Sequence, residues 1–447
     1  MPKFELRPTT VKIQQMLAES YKRNPHIALL TLKTGGGKTY SAIHTAACFN
    51  PNMLLIVFTT SKVMLSHQWE DSVKDYNQAT GSNLLIICYN YEKLTSEKFR
   101  NLLFKKIVAC RGMEKMLILD EIHKIKLSSS GKLSQRSKWI QKLAKADDVS
   151  RVLGLSATAF SNSYLDVAPY LVMGRYYTSK TDFMRQHVRY FDNYHNPIVS
   201  FNGHISRDAF KDPDRIDKEI ADITVYMDTS QYMPDLTVEH DVMKLNSAQR
   251  QAYDSVDGAY ADGIFEYPIQ ASMEQERILA EECYEAKDLR LLQILKDRDN
   301  GKFGPVAPLL IFYQYTKVCK HVIKMIQSMR PDLPIHQVNG FSKDTLLKPN
   351  DDTSVYLVQY EAGGEGLDWQ WSNISVFYEA PVRYEKYVQA KGRNLRNREL
   401  MEKVYHFEFE YQNTVDSSRW SVNRDKKDFT DDVMSKTFLE NQKKKGN

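Results

Sequence analysis

Short apolar runs, each closed by a polar loop, recur along the chain in two series. The runs span four to six residues without strict apolar–polar alternation, which is typical of strands buried on both faces. Amphipathic stretches at Thr39–Cys48 and Thr316–Met329 predict crossover helices between strands. The first series comprises Ile27–Leu32, Met53–Phe58, Leu84–Cys88, Met116–Leu119 and Val152–Leu155, and the second comprises Leu309–Tyr313, Val355–Val358 and Ile374–Tyr378.

Two such series separated by a long middle segment predict an α/β protein of two lobes, each a parallel sheet sandwiched by helices. A chain of 447 residues is also too long for one hydrophobic core. We expect an N-terminal lobe at residues 1–230 and a C-terminal lobe at 231–425, followed by a basic tail at 426–447. The boundary is predicted near Asp228–Leu236, where Pro234 and polar residues break the periodicity.

The middle segment has a different character. Tyr176–Phe210 is rich in aromatic residues, and Asn202-Gly203 within it is flanked by alternating residues, a strong hairpin signal. A structural hairpin is the first interpretation, and a wedge that touches nucleic acid is the alternative. Further along, Ser247–Gly258 and Met273–Arg298 are predicted to be helices.

Composition narrows the class of protein. Apolar residues make up 42% and charged residues 26%, as in soluble globular proteins. The five cysteines are scattered without a Cys-x-x-Cys pair, which argues against a zinc ribbon and a disulfide framework. The chain shows neither a signal peptide nor an apolar run of membrane-spanning length. We therefore expect a cytoplasmic protein without a membrane partner.

Charge distribution says more than the net charge of +5. His123–Lys145 contains seven Lys or Arg residues and no acid, and Arg383–Arg398 contains six basic residues and one acid. A solvated helix face is the ordinary interpretation of such a run. Both runs directly follow segments that carry chemistry, which favours nucleic-acid binding.

The first of those chemical segments is Lys33-Thr-Gly-Gly-Gly-Lys-Thr39, which joins a predicted strand to a predicted helix. Gly35, Gly36 and Gly37 would let backbone N–H groups close on phosphates at the helix N-terminus. Lys38 would reach the β- and γ-phosphates, and the Thr39 hydroxyl would face Mg²⁺. The sequence therefore predicts an ATP and Mg²⁺ site here.

The second segment is Met116–His123, a buried strand that delivers adjacent carboxylates at its carboxyl end. Ligands of α/β sheets bind at that edge. Asp120 is predicted to hold Mg²⁺, and Glu121 to orient and deprotonate the attacking water.

Together these segments resemble the superfamily 2 helicases, specifically their Swi/Snf-type branch, whose lobes are RecA-like. In the first half, Phe58–Trp69 resembles motif Ia, Asp120-Glu-Ile-His123 the Asp-Glu-x-His motif, and Leu155-Ser-Ala-Thr158 motif III. The Ser-Ala-Thr form is usual in the DEAD and DEAH branches, whereas Swi/Snf relatives usually carry Thr-Gly-Thr-Pro.

The second half contains the remaining motifs of the resemblance. Pro308–Thr316 resembles motif IV and Ala362–Asp368 resembles motif V, with Asp368 where the branch usually has Asn. Gln389-Ala-Lys-Gly-Arg-Asn-Leu-Arg396 fits the Gln-x-x-x-Arg-x-x-Arg pattern of motif VI.

The resemblance implies roles for individual residues. Arg393 and Arg396 would act as arginine fingers on ATP, with Gln389 beside the nucleotide. Gln14 is the candidate adenine-recognising glutamine, with Gln15 as the alternative, although neither stands at the usual offset from Leu6-Arg-Pro8. Coupling to nucleic acid, or contact with it, is implied for His123, Ser156, Thr158, Thr60, Ser61, Gly364 and Lys391.

Three functions follow from the resemblance. The first is a DNA translocase or branch-remodelling enzyme in replication or recombination, of the compact kind encoded by bacteriophages and mobile elements. The second is a strand-separating helicase with the 198–206 hairpin as wedge. The third is a nucleotide-gated DNA-binding module with slow turnover. We expect a monomer, recruited by replication or recombination proteins, that binds duplex or branched DNA in preference to single strands, with RNA less favoured.

Overall fold

A computed structural model describes most of the chain. The described residues are 6–32, 35–125, 132–157, 164–201, 204–205, 207–227, 233–262, 264, 268–340, 353–363, 369–395 and 401–425. The chain divides into two compact units, the first comprising Met1–Thr229 together with Asp425–Asn447 and the second spanning Ser230–Arg424. Each unit is built around its own parallel sheet.

Strands and helices alternate along most of the chain. The strands are β1 (Ile27–Thr31), β2 (Leu54–Thr59), β3 (Leu85–Asn90), β4 (Lys115–Asp120), β5 (Val149–Ser156), β6 (Ser200–Phe201), β7 (His204–Ile205), β8 (Thr224–Tyr226), β9 (Asp235–Met243), β10 (Leu309–Tyr313), β11 (Ile335–Val338), β12 (Val355–Gln359), β13 (Ile374–Phe377) and β14 (Lys403–Tyr411). The helices are α1 (Pro8–Arg23), α2 (Lys38–Phe49), α3 (Ser61–Leu65), α4 (Gln68–Thr80), α5 (Glu97–Ala109), α6 (Gln135–Ala144), α7 (Ala168–Met173), α8 (Lys180–His187), α9 (Pro213–Ile223), α10 (Ser247–Ala261), α11 (Pro268–Glu282), α12 (Glu285–Asp299), α13 (Thr316–Met329), α14 (Tyr360–Gly363) and α15 (Tyr384–Lys391). A further helix covers residues 415–425.

The first sheet has six parallel strands in the order β3-β2-β4-β5-β1-β8. Alternate residues of its strands point to two separate cores. Leu29, Phe58 and Leu119 pack with side chains of α5 to α9, whereas Leu30 and Val57 pack with α1, α2 and α4. Coverage of both faces explains why these strands read as continuous apolar runs.

The second sheet also has six parallel strands, in the order β11-β12-β10-β13-β14-β9. One core contains Ile311 and Leu357 with α12 and α13, and the other contains Phe312 and Val358 with α15 and Trp420. The predicted fold class, two α/β lobes each with a helix-covered parallel sheet, is thus confirmed.

Two short strands flank the predicted hairpin turn. The strands β6 and β7 pair antiparallel, with Phe201 opposite His204, on either side of Asn202-Gly203. The turn residues themselves lie outside the described residues.

The single helix predicted at Met273–Arg298 is wrong, because α11 and α12 are separate helices that meet at Cys283 and Tyr284. Neither residue is a conventional helix breaker. Instead Cys283 is buried, and the Tyr284 ring stacks on His321 of α13 with ring centroids 3.5 Å apart. Tertiary packing outweighs local helix propensity at this point. None of the helices in the described part of the chain has the length and apolar character needed to cross a bilayer.

Candidate nucleotide site

The loop after β1 has the backbone form that a phosphate-binding turn requires. Gly35 and Gly37 have φ angles of 82° and 83°. This left-handed region favours glycine because a Cβ atom would crowd the backbone there. Gly37 directly precedes α2, so the loop leads straight into the N-terminus of this helix. Lys33 and Thr34 lie outside the described residues.

Lys38 and Thr39 are the first two residues of α2. The Nζ of Lys38 donates a hydrogen bond to the carbonyl oxygen of Leu32 at 3.0 Å, across the mouth of the loop. Its positive charge also lowers the pKa of Asp120. The predicted lysine and the predicted metal-binding carboxylate are therefore electrostatic neighbours.

Asp120 ends β4 and is held in place by side chains of the adjacent strand and of α4. Its Oδ2 accepts hydrogen bonds from Oγ1 of Thr59 at 2.8 Å and from Nε1 of Trp69 at 3.3 Å. Its carbonyl oxygen accepts one from the Tyr91 hydroxyl at 2.8 Å. These contacts fix both the backbone and one carboxylate oxygen.

The surroundings of Asp120 raise its pKa overall. Burial is the main cause and the neighbouring Glu121 carboxylate adds to it. The hydrogen bonds from Thr59 and Trp69, together with the charge of Lys38, act in the opposite direction. A cation near Asp120 would relieve this destabilisation of the carboxylate.

Glu121 adopts a left-handed backbone conformation, with a φ of 55°, immediately after β4. Such a conformation is uncommon for a non-glycine residue and is often found at functional sites. Nδ1 of His123 lies 3.2 Å from Oε2 of Glu121 and 3.1 Å from Oγ of Ser156. The Asp-Glu-x-His segment is thereby joined to the end of β5. Thr158, predicted to act with Ser156, lies outside the described residues.

An oxygen-rich site for Mg²⁺ is compatible with these residues. The Thr39 hydroxyl and the Asp120 carboxylate are the hard oxygen ligands that Mg²⁺ prefers. Both of the hydrogen bonds described above fall on Oδ2 of Asp120, which leaves its other oxygen for a cation. The chemistry of the donor set fits the predicted metal.

The predicted adenine contact stays a prediction. Gln14 is half-buried on α1 and Gln15 is exposed one position further along. Leu6, at the start of the described chain, packs against the core shared by α1 and α2.

Thr60 and Ser61, predicted to contact nucleic acid, follow the carboxyl end of β2, and Ser61 is the first residue of α3. Thr60 is buried, and its carbonyl oxygen accepts from the backbone N–H of Met64. Oγ of Ser61 accepts from Nδ2 of Asn90 at 2.8 Å and lies 3.5 Å from Oε2 of Glu92. Ser61 is therefore the better placed of the two for a surface contact.

In the second unit, the described part of the segment that resembles motif VI, residues 389–395, covers the end of α15 and the residues that follow it. Gln389 and Arg393 are both buried, with 6% and 4% of their surface exposed. The carbonyl oxygen of Arg393 accepts from the backbone N–H of Trp369 at 3.3 Å. Gly364 and Arg396 lie outside the described residues.

Lys391, predicted to touch nucleic acid, has partners within its own unit. Its Nζ lies 3.0 Å from the Tyr387 hydroxyl and 3.5 Å from Oε1 of Glu408. Next to it, Asn394 donates to Oγ of Ser375 and accepts from Nε2 of His406. This buried polar network anchors the motif VI turn to β13 and β14.

Comparison with known families agrees with the geometry of the first unit. The family model described as "Type III restriction enzyme, res subunit" matches residues 3–161. Residues 3–161 resemble a superfamily 2 helicase-type ATPase domain. The match contains the phosphate loop, both carboxylates and Ser156. A comparison with curated proteins found no match.

Sequence reasoning missed the side chains that hold Asp120. Thr59 and Tyr91 are not among the predicted site residues, and Trp69 enters only as the last residue of the segment that resembles motif Ia. A usable signal existed for Thr59, because it is a polar residue at the carboxyl end of a strand that neighbours β4. Tyr91 and Trp69 reach Asp120 from other elements, and no sequence spacing indicates that contact.

Proposed function

We propose that the protein is an ATP-dependent DNA motor that couples hydrolysis to translocation on DNA or to its remodelling. The observation that carries the proposal is the electrostatic interaction of Lys38, at the start of α2, with Asp120, which ends β4 next to Glu121, inside a segment similar to a helicase-type ATPase. A second parallel α/β unit follows in the chain, as a two-lobed motor requires.

In this proposal each residue has a defined task. The loop Gly35–Gly37 and Lys38 bind the phosphates of ATP through backbone N–H groups and one ammonium group. Thr39 and Asp120 hold Mg²⁺, which neutralises phosphate charge when bound. Glu121 orients a water molecule and takes its proton, while His123 connects this carboxylate to Ser156.

The second unit is proposed to complete the nucleotide site. Arg393 and Arg396 would stabilise charge on the transferred phosphoryl group, so that hydrolysis requires closure of the lobes. ATP would favour the closed state and product release the open one, and this differential affinity would drive movement.

The motifs along the whole chain favour one particular kind of motor. A Swi/Snf-type motor would track duplex DNA without separating the strands, through sequence-independent and salt-sensitive phosphate contacts. Ser61, Thr158 and Gly364 are the proposed contacts. A role in replication or recombination, in a compact enzyme of bacteriophage or mobile-element type, belongs to the same proposal.

Strand separation is the second candidate function. It is favoured by the antiparallel pairing of β6 with β7, the two short strands on either side of Asn202-Gly203 in the sequence. A gel assay on forked and fully duplex DNA distinguishes the two functions. Release of a labelled strand from the fork supports the helicase, whereas ATP hydrolysis on duplex DNA without release supports the translocase.

The decisive experiment measures ATP hydrolysis with single-stranded, duplex and forked DNA and with RNA. We expect strong stimulation by duplex and forked DNA, and loss of hydrolysis in Lys38→Ala. An exposed lysine, Lys12→Ala on α1, is the matched control. Equal rates with and without every nucleic acid would contradict the motor.

A further inference from the structure

The outer face of α6 carries a concentration of positive charge that the nucleotide site does not use. Ile140 and Ala144 bury the inner face of this helix in the first core. Lys138, Lys142 and, just past the helix end, Lys145 are exposed on the outside. No acidic residue interrupts the sequence from His123 until Asp147.

Neighbouring elements add cations to the same surface. The guanidinium of Arg100 on α5 lies 4.5 Å from the ring centroid of Trp139, and Nζ of Lys142 lies 4.8 Å from it. Lys145 donates to the carbonyl oxygen of Thr178, just before α8. We call this surface the α6 patch and define it by Arg100, Lys132, Lys138, Lys142, Lys145 and Lys180.

Cations of the α6 patch are close enough to repel one another. The pKa of Lys180, at the start of α8, is lowered by partial burial and then by the charges of Lys138 and Lys132. Gathering like charges destabilises the isolated protein. A polyanion bound to the patch would remove that repulsion.

The aromatic rings of this surface are engaged by cations. Trp139 is contacted by Arg100 and Lys142, and Tyr89 is contacted by Lys93 and Lys106 with ammonium groups 5.3 and 5.4 Å from its centroid. Single-stranded nucleic acid is usually held by bases stacked on open aromatic faces. A lysine-rich surface whose aromatic rings already contact cations is better suited to the phosphate backbone of a duplex.

The α6 patch is continuous with the predicted motif Ia contact. Arg136 of α6 pairs with Oε1 of Glu92 at 3.4 Å, and Oε2 of Glu92 lies 3.5 Å from Oγ of Ser61. The preceding residue, Tyr91, donates to the carbonyl oxygen of Asp120. A ligand on the patch would thus lie beside the short turn that supports the metal-binding carboxylate.

From these contacts we propose that the α6 patch is a second binding surface for the phosphate backbone of duplex DNA, formed by residues outside the motifs. The proposal rests on the proposed function, because it names where the first lobe grips the duplex. Lys138 and Lys142 are its central contacts, and Arg136 with Glu92 joins them to Ser61.

The test compares two double variants of the full chain. Lys138→Gln with Lys142→Gln removes two charges from the α6 patch. Lys12→Gln with Lys74→Gln removes two exposed charges from α1 and α4, which pack on the opposite face of the same sheet. Binding of a fluorescent duplex is measured at several salt concentrations, along with ATP hydrolysis in the absence of DNA.

We expect the patch variant to bind duplex DNA roughly tenfold more weakly at low salt and to show a log–log salt slope smaller by about 2. The control variant should bind like the wild type, and both should keep the DNA-independent rate of hydrolysis. Equal affinity and slope in the two variants would overturn the proposal, as would a loss confined to single-stranded DNA or RNA.

Failure of the proposed function would give a different result when ATP hydrolysis is measured with nucleic acids. A wild-type protein whose hydrolysis no nucleic acid stimulates would contradict the motor itself. Normal stimulation of the wild type, combined with an unaltered patch variant, would contradict the α6 patch alone.

Discussion

At the scale of single residues, the candidate site depends on side chains that position a carboxylate. Trp69 and Thr59 each donate to the same oxygen of Asp120. Hydrogen bonds to a carboxylate favour its ionised form, which is the form that binds a metal. These donors therefore offset part of the burial that raises the pKa of Asp120.

Trp69→Phe tests this positioning role because phenylalanine keeps most of the packing and loses the N–H donor. The pKa of Asp120 should rise further, so hydrolysis should be lost at a higher pH as the solution is acidified. We expect the acid limb of the pH–rate profile to move up by roughly 1 unit. Trp371→Phe in the second unit is the control, and an unmoved limb in Trp69→Phe would contradict the role.

Glu121→Gln tests the proposed base. The amide keeps the shape of the side chain but cannot accept a proton, so turnover should fall by about 10²–10⁴. ATP binding should stay within a few-fold of the wild type, because Lys38 and the glycine loop are intact. Binding of a fluorescent ATP analogue and steady-state hydrolysis measure the two effects, and hydrolysis at the wild-type rate would refute the assignment.

At the scale of elements, the end of β13 places a carboxylate against a helix. Oε2 of Glu379 accepts from the backbone N–H groups of Gln314 and Tyr315, just before α13, at 2.8 and 3.1 Å. Burial raises the pKa of Glu379 to about 7 despite these hydrogen bonds and the charge of Lys287. The second sheet thus supplies its own anion at a helix N-terminus.

The pH dependence of stability follows from the raised pKa of Glu379. Between about pH 4.5 and 7 the folded state holds a proton that the unfolded state has released, so this group makes the protein less stable as the pH rises. Glu379→Gln should therefore stabilise the protein more at pH 8 than at pH 5, by a difference on the order of 2 kcal/mol. Urea unfolding of Glu379→Gln at both pH values, against the exposed Glu402→Gln, measures it. A gain that does not grow with pH would contradict the assignment.

Whether a strand can be predicted from the sequence depends on how much of its surface is buried by the elements around it. All eight predicted strands are present, and most of them, including β1 and β10, are buried along their length, which leaves long apolar runs. The edge strand β3 is apolar although most of it is partly exposed. By contrast, polar residues interrupt the apolar ones in β9 and β14. A search for continuous apolar runs therefore does not find these two strands. In the site, Lys38 and Asp120 follow from local motifs, whereas the hydrogen bond that Trp69 of α4 donates to Asp120 depends on the tertiary fold.

At the scale of the whole molecule, the proposed motor depends on both units. Arg393 is buried in the second unit and its predicted task concerns a nucleotide bound to the first. Arg393→Gln should lower DNA-stimulated turnover by roughly 10³ or more while ATP still binds. Arg383→Gln, an exposed position just before the same helix, is the control.

Because Arg393 is buried, its replacement requires a check of folding. The thermal unfolding profile of the variant should resemble that of the wild type, and ATP affinity should change little. Wild-type turnover in a well-folded Arg393→Gln protein would contradict a motor that works across two lobes.

The pairing of β9 with β14 has a mechanical consequence. β9 opens the second unit, and β14 is its last strand, and the two run parallel over nine residue pairs from Asp235 and Lys403 to Met243 and Tyr411. Tension that enters at Asp235 and leaves beyond Tyr411 pulls these strands along their length in opposite directions. The ladder is then loaded in shear, so its hydrogen bonds share the force and break together instead of one after another. A pulling experiment on the second unit should accordingly meet its greatest resistance at the first rupture.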